Sequence, residues 1–292
     1  MRNLPEPTRD NDRADLMKAV RKYRHRGRTL GHDITEDEVE EVVALYDRYE
    51  RDRGAPCVEL KGSDMPDALR ETIHAAYEKT QEGRTLQPLR DLLFRGVGLC
   101  PVCGIDPATE LDHHLPQSEF KPLAIHSRNL VPMCHPCNHA KLAGFDEQGE
   151  GFLHPYYDLL PDMDFLMATV DLDGATLVVS FAIDLEAALP AGFAGRLTAQ
   201  MEALKLEERY QQEVNTYIAS HAAALHLAHR AEGQAGVRRT LRLQERYETR
   251  ALHRNHWRPV LLRALSKHDG FTGGGFAAVL PIPDDMLDDL DG

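Results

Sequence analysis

Two Cys-x-x-Cys pairs in the middle of the chain constrain its fold more than any other feature. They are Cys100/Cys103 and Cys134/Cys137. Four soft thiolates at such a spacing are the ligand set of a closed, tetrahedral, structural zinc site. The sequence therefore predicts one structural Zn²⁺ bound by Cys100, Cys103, Cys134 and Cys137. The fifth cysteine, Cys57, has no partner in this pattern and is expected to be a buried or neutral thiol.

A second set of polar residues lies between and just after the cysteines. It contains a carboxylate, two adjacent histidines and two asparagines, namely Asp112, His113, His114, Asn129 and Asn138. Oxygen ligands are typical of Mg²⁺ or Mn²⁺, and a neutral imidazole can accept a proton from water near pH 7. This combination is the chemistry needed to hydrolyse a phosphodiester.

Three motifs occur in order across this region: Asp112-His113-His114-Leu115-Pro116, Asn-Leu-Val-Pro beginning at Asn129, and Cys-x-x-Cys-Asn-x-x-Lys from Cys134 to Lys141. Together they resemble the HNH nuclease family, whose ββα-metal module is a strand, a loop, a second strand and a short helix around one catalytic ion. The resemblance covers residues 87 to 157, about a quarter of the chain, and includes the His-Pro-Tyr-Tyr-Asp segment at 154 to 158.

The resemblance implies a role for each residue. The family's base follows the metal-binding residue and stands three positions before the proline, which here is His113. Asp112 and Asn138 would hold the catalytic Mg²⁺ or Mn²⁺, and Asn129 would hold the loop that carries His113. Lys141 would contact phosphate, and Leu142 stands where some members have a second histidine ligand. His114 replaces the family's usual aliphatic residue, so a shifted register or a joint role for both histidines stays open.

Composition and charge define the wider setting. The chain has 292 residues, 42% of them hydrophobic and 28% charged, as in ordinary globular proteins. No apolar run reaches the length of a membrane span and the N-terminus has no apolar signal core, so we expect no membrane partner and a cytoplasmic protein. The net charge of -13 argues against a protein that coats nucleic acid along its whole surface.

Two basic stretches contrast with that acidic balance. Residues 21 to 28 hold five cations, and arginines recur every four residues from Arg238 to Arg258. We expect the second row to wind around a helix and to follow a phosphate backbone, with Arg246, Arg250 and Arg254 as nucleic-acid contacts. The alternative is that these arginines pair with Glu245, Glu248 and other acids. The C-terminal end, with five aspartates from Asp284 to Asp291, is expected to be a solvated or partner-docking tail.

Hydrophobic periodicity predicts a mainly helical α+β chain with four regions: an N-terminal helical region (1 to 95), the HNH module with its structural zinc (96 to 158), a β-hairpin (159 to 189), and a C-terminal helical region with the acidic tail (190 to 292). Helices are predicted from Asp12 to about His25, after a Thr35/Glu38 capping box, from Pro66 to Glu82, from Pro88 to Phe94, from Pro190 to about Ala231, and from Val237 to Trp257. The segment from Gly270 to Phe276 is predicted to be a flexible connection.

These features favour a metal-dependent HNH endonuclease that cleaves DNA. Its chain context resembles the nuclease subunits of bacterial anti-phage defence systems, which act beside an ATPase partner. A ribonuclease effector or toxin with the same module is an alternative, because the metal chemistry does not distinguish the sugar. A non-catalytic, zinc-dependent nucleic-acid or protein adaptor is another.

Overall fold

The computed structural model describes residues 1 to 141, 151 to 283 and 285 to 288. It is an α+β fold, about 51% helical, with three two-stranded antiparallel sheets, which confirms the predicted class. The chain divides into two compact units, one comprising Asn3–Leu160 and the other comprising Met1–Arg2 with Pro161–Gly292. The four-region division of the sequence is a finer partition and stays a prediction.

The first unit consists of helices and two small two-stranded sheets. Its elements in chain order are α1 (Asp12–Val20), β1 (Tyr23–His25), β2 (Arg28–Leu30), α2 (Glu36–Arg51), α3 (Asp67–Ala75), α4 (Gln87–Phe94), β3 (Glu110–His113), β4 (Leu130–Met133) and α5 (His135–Lys141). Short 3₁₀ helices lie at Val58–Lys61, Ala76–Thr80 and Lys121–Leu123. The predicted third helix therefore changes to a 3₁₀ turn after Ala75, and the fourth begins one residue earlier than predicted.

Helix α2 follows the predicted rules closely. The Thr35 hydroxyl accepts a hydrogen bond from the Glu38 backbone N–H at 3.3 Å, and the Glu38 carboxylate accepts one from the Thr35 N–H at 2.8 Å. This reciprocal capping box satisfies two of the backbone donors that a helix start leaves unpaired. Val39, Val42, Tyr46 and Tyr49 form the buried stripe, whereas Val43 is only half-buried.

The predicted helix from Asp12 to His25 is wrong in its second half. Helix α1 ends at Val20, and an antiparallel hairpin of β1 and β2 follows, with Tyr23 opposite Leu30 and His25 opposite Arg28. Arg26 and Gly27 both have positive φ, 48° and 78°, which is the two-residue turn that matches the twist of a hairpin. A helical reading of this basic stretch missed the Arg-Gly turn.

Strands β3 and β4 form the centre of the first unit. Their register pairs Glu110 with Met133 and His113 with Leu130. A hydrophobic cluster of Leu89, Leu93, Leu111 and Leu130 packs α4 against these strands. Burial of four such side chains fixes one face of the sheet on the helical layer. The residues of β3 that alternate with Leu111 therefore point to the other face of the sheet, where they are available for chemistry.

The second unit contains a longer hairpin and five helices among its described residues. The hairpin is β5 (Leu166–Asp173) and β6 (Thr176–Ile183), and the helices are α6 (Phe193–Ala203), α7 (Leu206–Ala219), α8 (Ala222–Ala251), α9 (Trp257–Lys267) and α10 (Phe276–Val279), with a short turn of helix, α11, at Asp285–Asp288. The predicted hairpin is confirmed, because Asp173 pairs with Thr176 across the Gly174 turn and Val179, Phe181 and Ile183 alternate inward.

The helices after the hairpin correct three predictions. The single helix from Pro190 to Ala231 is wrong, since Lys205 adopts a left-handed conformation with φ of 50° between α6 and α7, and α7 ends at Ala219. The predicted break between Ala231 and Val237 is a kink within α8 at Gly233, which has φ of 57°. Helix α8 ends at Ala251 instead of Trp257, and Pro259 lies in the first turn of α9, where a missing N–H costs nothing.

The segment after Gly270 is ordered, contrary to the predicted flexible connection. A wide helical turn spans Phe271–Gly275 and leads into α10, and Phe271 and Phe276 are both buried. Two phenylalanines in this glycine-rich sequence therefore anchor it to the core. In the acidic tail, Asp284, Asp289 and Asp291 lie outside the described residues.

Within the described part of the chain, no helix has the length and apolar character needed to cross a membrane.

The capping box of α2 gives a direct test of local stability. Replacing Thr35 with Ala should reduce the free energy of unfolding by about 1 kcal/mol, since a helix start loses its side-chain acceptor. Urea unfolding followed by circular dichroism measures the change. Thr35→Ser keeps the hydroxyl and should unfold like the wild type. Equal stability of the Ala and Ser variants would show that the capping box contributes nothing.

Candidate metal centre and active site

The first cysteine pair lies in a tight turn before β3. The Gly104 backbone N–H donates to the Cys100 carbonyl at 2.9 Å, and the Ile105 N–H donates to the Cys103 sulfur at 3.4 Å. Gly104 has φ of 68°, a conformation that glycine adopts without a side-chain penalty. The turn therefore directs both thiols to one side and provides a backbone donor for a charged sulfur.

The second pair lies at the start of α5, directly after β4. Since β3 and β4 are antiparallel neighbours, the turn before β3 and the helix after β4 meet at the same end of the sheet. All four sulfur atoms are buried and lie within 4.8 Å of one another, with Cys103 and Cys134 sulfurs 3.7 Å apart. In the described part of the chain, this is the one group of three or more His, Cys, Asp or Glu side chains with ligand atoms this close.

The sulfur geometry fits zinc. A tetrahedral ion with Zn–S bonds of about 2.3 Å needs sulfurs roughly 3.8 Å apart, which is near the distance found between Cys103 and Cys134. Hydrogen bonds from Cys100, Cys134 and Cys137 lower the pKa of the Cys103 thiol, whereas hydrogen bonds from Cys100, Cys103 and Cys134 raise the pKa of the Cys137 thiol. The four cysteines could hold a metal such as zinc.

Asp112 lies on β3 and accepts a hydrogen bond from Lys141, the last residue of α5. Lys141 Nζ donates to the Asp112 carboxylate at 2.7 Å and to the His113 carbonyl oxygen at 2.6 Å. Both side chains are buried, with relative exposures of 7% for Asp112 and 3% for Lys141. Burial raises the pKa of Asp112, and the nearby ammonium offsets part of that shift. Lys141 is therefore buried beside Asp112, and its predicted contact with phosphate stays a prediction.

Asn138 makes a parallel contact one turn earlier in α5. Its side-chain amide donates to the Glu110 carboxylate at 2.7 Å, and His135 bonds the same carboxylate at 2.8 Å. Glu110 and Asp112 are two residues apart on β3 and so point to the same face. Asn138 and Asp112 thus have different partners, and these contacts do not assemble a ligand set for a second ion. Joint binding of the catalytic ion by Asp112 and Asn138 stays a prediction. Leu142 lies outside the described residues.

His113 is the last residue of β3, and the orientation of its imidazole ring is fixed. Nε2 donates to the Ala124 carbonyl oxygen at 2.9 Å, and the ring lies 4.5 Å from the Tyr77 ring. Burial lowers the pKa of His113 to about 4, so the imidazole is neutral at pH 7. With the proton on Nε2, the Nδ1 atom carries a lone pair. It has no hydrogen-bond partner in the described part of the chain, so it is able to accept a proton.

Asn129 organises the loop that leaves His113. Its carbonyl oxygen accepts from the Leu115 N–H at 2.8 Å, and its amide donates to the carbonyls of Leu115 and Leu123 at 3.1 and 3.2 Å. Asn129 is fully buried, and these bonds satisfy its polar atoms. These hydrogen bonds hold the loop, and a part for Asn129 in catalysis stays a prediction.

Tyr49 and His154 support Asn129, and the sequence motifs did not identify this contact. His154 Nδ1 accepts a hydrogen bond from the Tyr156 N–H, so the ring proton is on Nε2. Nε2 donates to the Tyr49 hydroxyl oxygen at 2.9 Å. That hydroxyl lies 3.2 Å from the Asn129 carbonyl oxygen. The His154 ring also lies against the His114 ring, with the ring centroids 4.0 Å apart and the ring planes tilted by 42°. In the sequence, the His-Pro-Tyr-Tyr-Asp segment pointed to His154, but nothing distinguished Tyr49 from an ordinary core residue.

The predicted nucleic-acid arginines lie in the second unit and differ from one another. Arg246 and Arg250 are exposed on α8 and have no ion pair among the described residues. Arg254 lies beyond the end of α8 and bonds Asp162 and Asp164, each at 2.9 Å. The predicted row is therefore interrupted by a helix end, and Arg254 has the acid pairing that was its alternative. Nucleic-acid contact by Arg246 and Arg250 stays a prediction.

Comparison with protein-family models, with curated proteins and with solved structures gave no match to this chain.

The four-thiol site has a matched internal control. Native protein should contain about one zinc per chain, and Cys137→Ser should lose it and unfold at lower temperature, because metal binding free energy is part of the folding free energy. Cys57→Ser should retain both zinc and stability, since Cys57 lies outside the cluster. Mass spectrometric metal analysis and thermal melting measure the two effects. Zinc-free native protein would contradict the assignment.

Proposed function

We propose that this chain is a metal-dependent endonuclease of the HNH type that hydrolyses DNA phosphodiester bonds. The observation that carries the proposal is His113, a buried and neutral imidazole whose Nε2 is fixed by Ala124 and whose Nδ1 is left as an acceptor. It follows Asp112 directly and lies beside a helix that begins at the cysteine cluster. The three motifs that resemble the family support the same reading.

In this proposal each residue has a defined task. His113 takes the proton of the attacking water at Nδ1, and the Ala124 carbonyl keeps the ring in the tautomer that can do so. Asn129 holds the following loop, and Tyr49 holds Asn129. The structural zinc fixes Cys137, and so fixes the adjacent Asn138 on the face of β3 that carries Asp112.

A Mg²⁺ or Mn²⁺ ion at Asp112 and Asn138 belongs to the proposal. Bound there, it would supply positive charge for the phosphate in the transition state. Its binding would require Lys141 to release Asp112 and Glu110 to release Asn138. A defence role, an ATPase partner and a cytoplasmic location also belong to the proposal, and they rest on the family resemblance alone.

The second candidate is a non-catalytic zinc-dependent adaptor, and the ion pair of Lys141 with Asp112 favours it. A buried ammonium 2.7 Å from the carboxylate already supplies the compensating charge that an ion would bring. Such a pair would make the module a purely structural unit. The cleavage assay distinguishes a ribonuclease from a deoxyribonuclease by showing whether RNA or DNA is cut.

His113 gives the decisive activity test. With Mg²⁺ or Mn²⁺ and plasmid DNA, His113→Ala should cleave roughly 10²-fold more slowly than wild type, the usual scale for a positioned base. Zinc content and fold should be unchanged. His114→Ala is the matched control and should retain activity. An inactive His114→Ala with an active His113→Ala would assign the base to His114. Cleavage of RNA alone would favour the ribonuclease. Cleavage of neither DNA nor RNA would favour the adaptor.

Lys141 separates the two candidates without an activity assay. Lys141→Met should destabilise the protein by about 3 to 5 kcal/mol, because it leaves the buried Asp112 carboxylate uncompensated. In the nuclease proposal, added Mn²⁺ restores much of that stability by binding Asp112. Lys121→Met, which breaks an exposed pair with Glu71, should show no Mn²⁺ effect. Thermal melting that is equally insensitive to Mn²⁺ in both variants would support the adaptor.

A further inference from the structure

An exposed basic hairpin projects from the first unit. This basic hairpin consists of residues 21 to 30, which include β1 and β2, and every residue in it is exposed. It carries five cations in a protein whose net charge is -13. Such a local concentration of positive charge is the electrostatic footprint of a polyanion-binding surface.

The arginines of the basic hairpin are not used in ion pairs. Arg21, Arg24, Arg26 and Arg28 have no acidic partner among the described residues, while Lys22 bonds Asp33 at 2.6 Å. Elsewhere arginines commonly pair with acids, as Arg254 does with Asp162 and Asp164. The four guanidinium groups are therefore available to phosphate, which they can bind through two parallel hydrogen bonds.

The backbone of the basic hairpin is held in place before any ligand binds. Gly31 has φ of 88° and approaches the end of α1 so closely that an added Cβ would lie 2.8 Å from the Val20 carbonyl oxygen. The next residue, His32, donates its N–H to the Val20 carbonyl at 2.7 Å. Because the base of the hairpin is fixed, little backbone conformational entropy is lost when its arginines bind.

The tip of the hairpin places an arginine where small residues are favoured. Arg26 has φ of 48°, in a turn position for which asparagine or glycine is preferred. A residue with a side chain in this region costs of order 1 kcal/mol of backbone strain. The long cation of Arg26 therefore lies in the turn at the tip of the hairpin, where its side chain is exposed.

A groove of about 870 Å³ lies along the basic hairpin and extends its positive surface. Three further cations line it: Lys18, Lys79 and Arg84. Two acids also line it, but the Glu71 carboxylate is paired with Lys121, which leaves Glu78 as the acid without an ion pair among the described residues. The groove thus remains positive on balance.

We propose that the basic hairpin and its groove bind the phosphate backbone of duplex DNA and hold the substrate of the first unit. The proposal rests on the proposed nuclease function and adds its substrate-binding surface. Single-stranded nucleic acids are bound largely by stacking on aromatic rings. The hairpin has one aromatic side chain, Tyr23, and the Lys79 ammonium lies 4.9 Å from its ring centroid. The surface therefore suits backbone contact better than base stacking.

The test measures DNA binding without cleavage. Arg24, Arg26 and Arg28 are replaced together by Gln, and binding to a fluorescent 30-base-pair duplex is followed by anisotropy in EDTA across a range of salt. Each lost phosphate contact should reduce the salt slope by about 0.9, so affinity at 0.1 M salt should fall on the order of 10²-fold. Binding should weaken alike for unrelated sequences, because backbone contacts carry no sequence information.

A control triple variant separates local contact from net charge. Arg51, Arg95 and Lys267 are exposed and have no ion pair among the described residues, and replacing them by Gln removes the same charge. Duplex affinity of this control should change at most a few-fold. Circular dichroism and zinc content check that both triple variants fold. Equal weakening by the two variants, or tighter binding of wild type to a single strand of the same length, would overturn the proposal.

Failure of this proposal is distinguishable from failure of the nuclease proposal. If the hairpin variant binds and cleaves like wild type while His113→Ala is inactive, the nuclease stands and the DNA surface lies elsewhere. If His113→Ala cleaves normally but the hairpin variant loses duplex binding, the surface stands and the base is another residue.

Discussion

The convergence of four buried thiols on one point is the constraint on which the rest of the first unit depends. One pair lies in the turn before β3 and the other follows β4, so a single ion would tie together both ends of the strand pair and the start of α5. From that fixed start, α5 presents Asn138 to Glu110 and Lys141 to Asp112. A seven-residue helix is too short to be stable alone, and the metal would supply its missing stability.

The opposite side of the candidate site depends on hydrogen bonds instead of metal. Asn129 is buried and fully satisfied, and Tyr49 connects it to His154. Tyr77 donates from its hydroxyl to the Leu111 carbonyl and lies against the His113 ring. These tyrosines come from the helical region that precedes the motifs. The N-terminal helices therefore hold the orientation of His113, a role that the sequence of those helices did not indicate.

Local features were predictable where a few neighbouring residues decide the structure. The capping box at Thr35, the hairpin around Gly174 and the meeting of the two cysteine pairs are of this kind. Features decided by distant partners were not predictable. Lys141 lies inward because Asp112 needs a buried counter-charge, and the glycine-rich segment is ordered because Phe271 and Phe276 reach the core. The left-handed Lys205 breaks a helix whose hydrophobic period continues across it.

In the proposed nuclease, a structural zinc site would hold a second, divalent-cation site beside His113. Crystals grown with Mn²⁺ and measured at the zinc and manganese absorption edges would test this directly. We expect a zinc peak among the four cysteine sulfurs and a separate manganese peak about 2.2 Å from an Asp112 oxygen, a usual carboxylate–metal distance, with Lys141 displaced. Zinc alone, with Lys141 still bonded to Asp112 at saturating Mn²⁺, would contradict it.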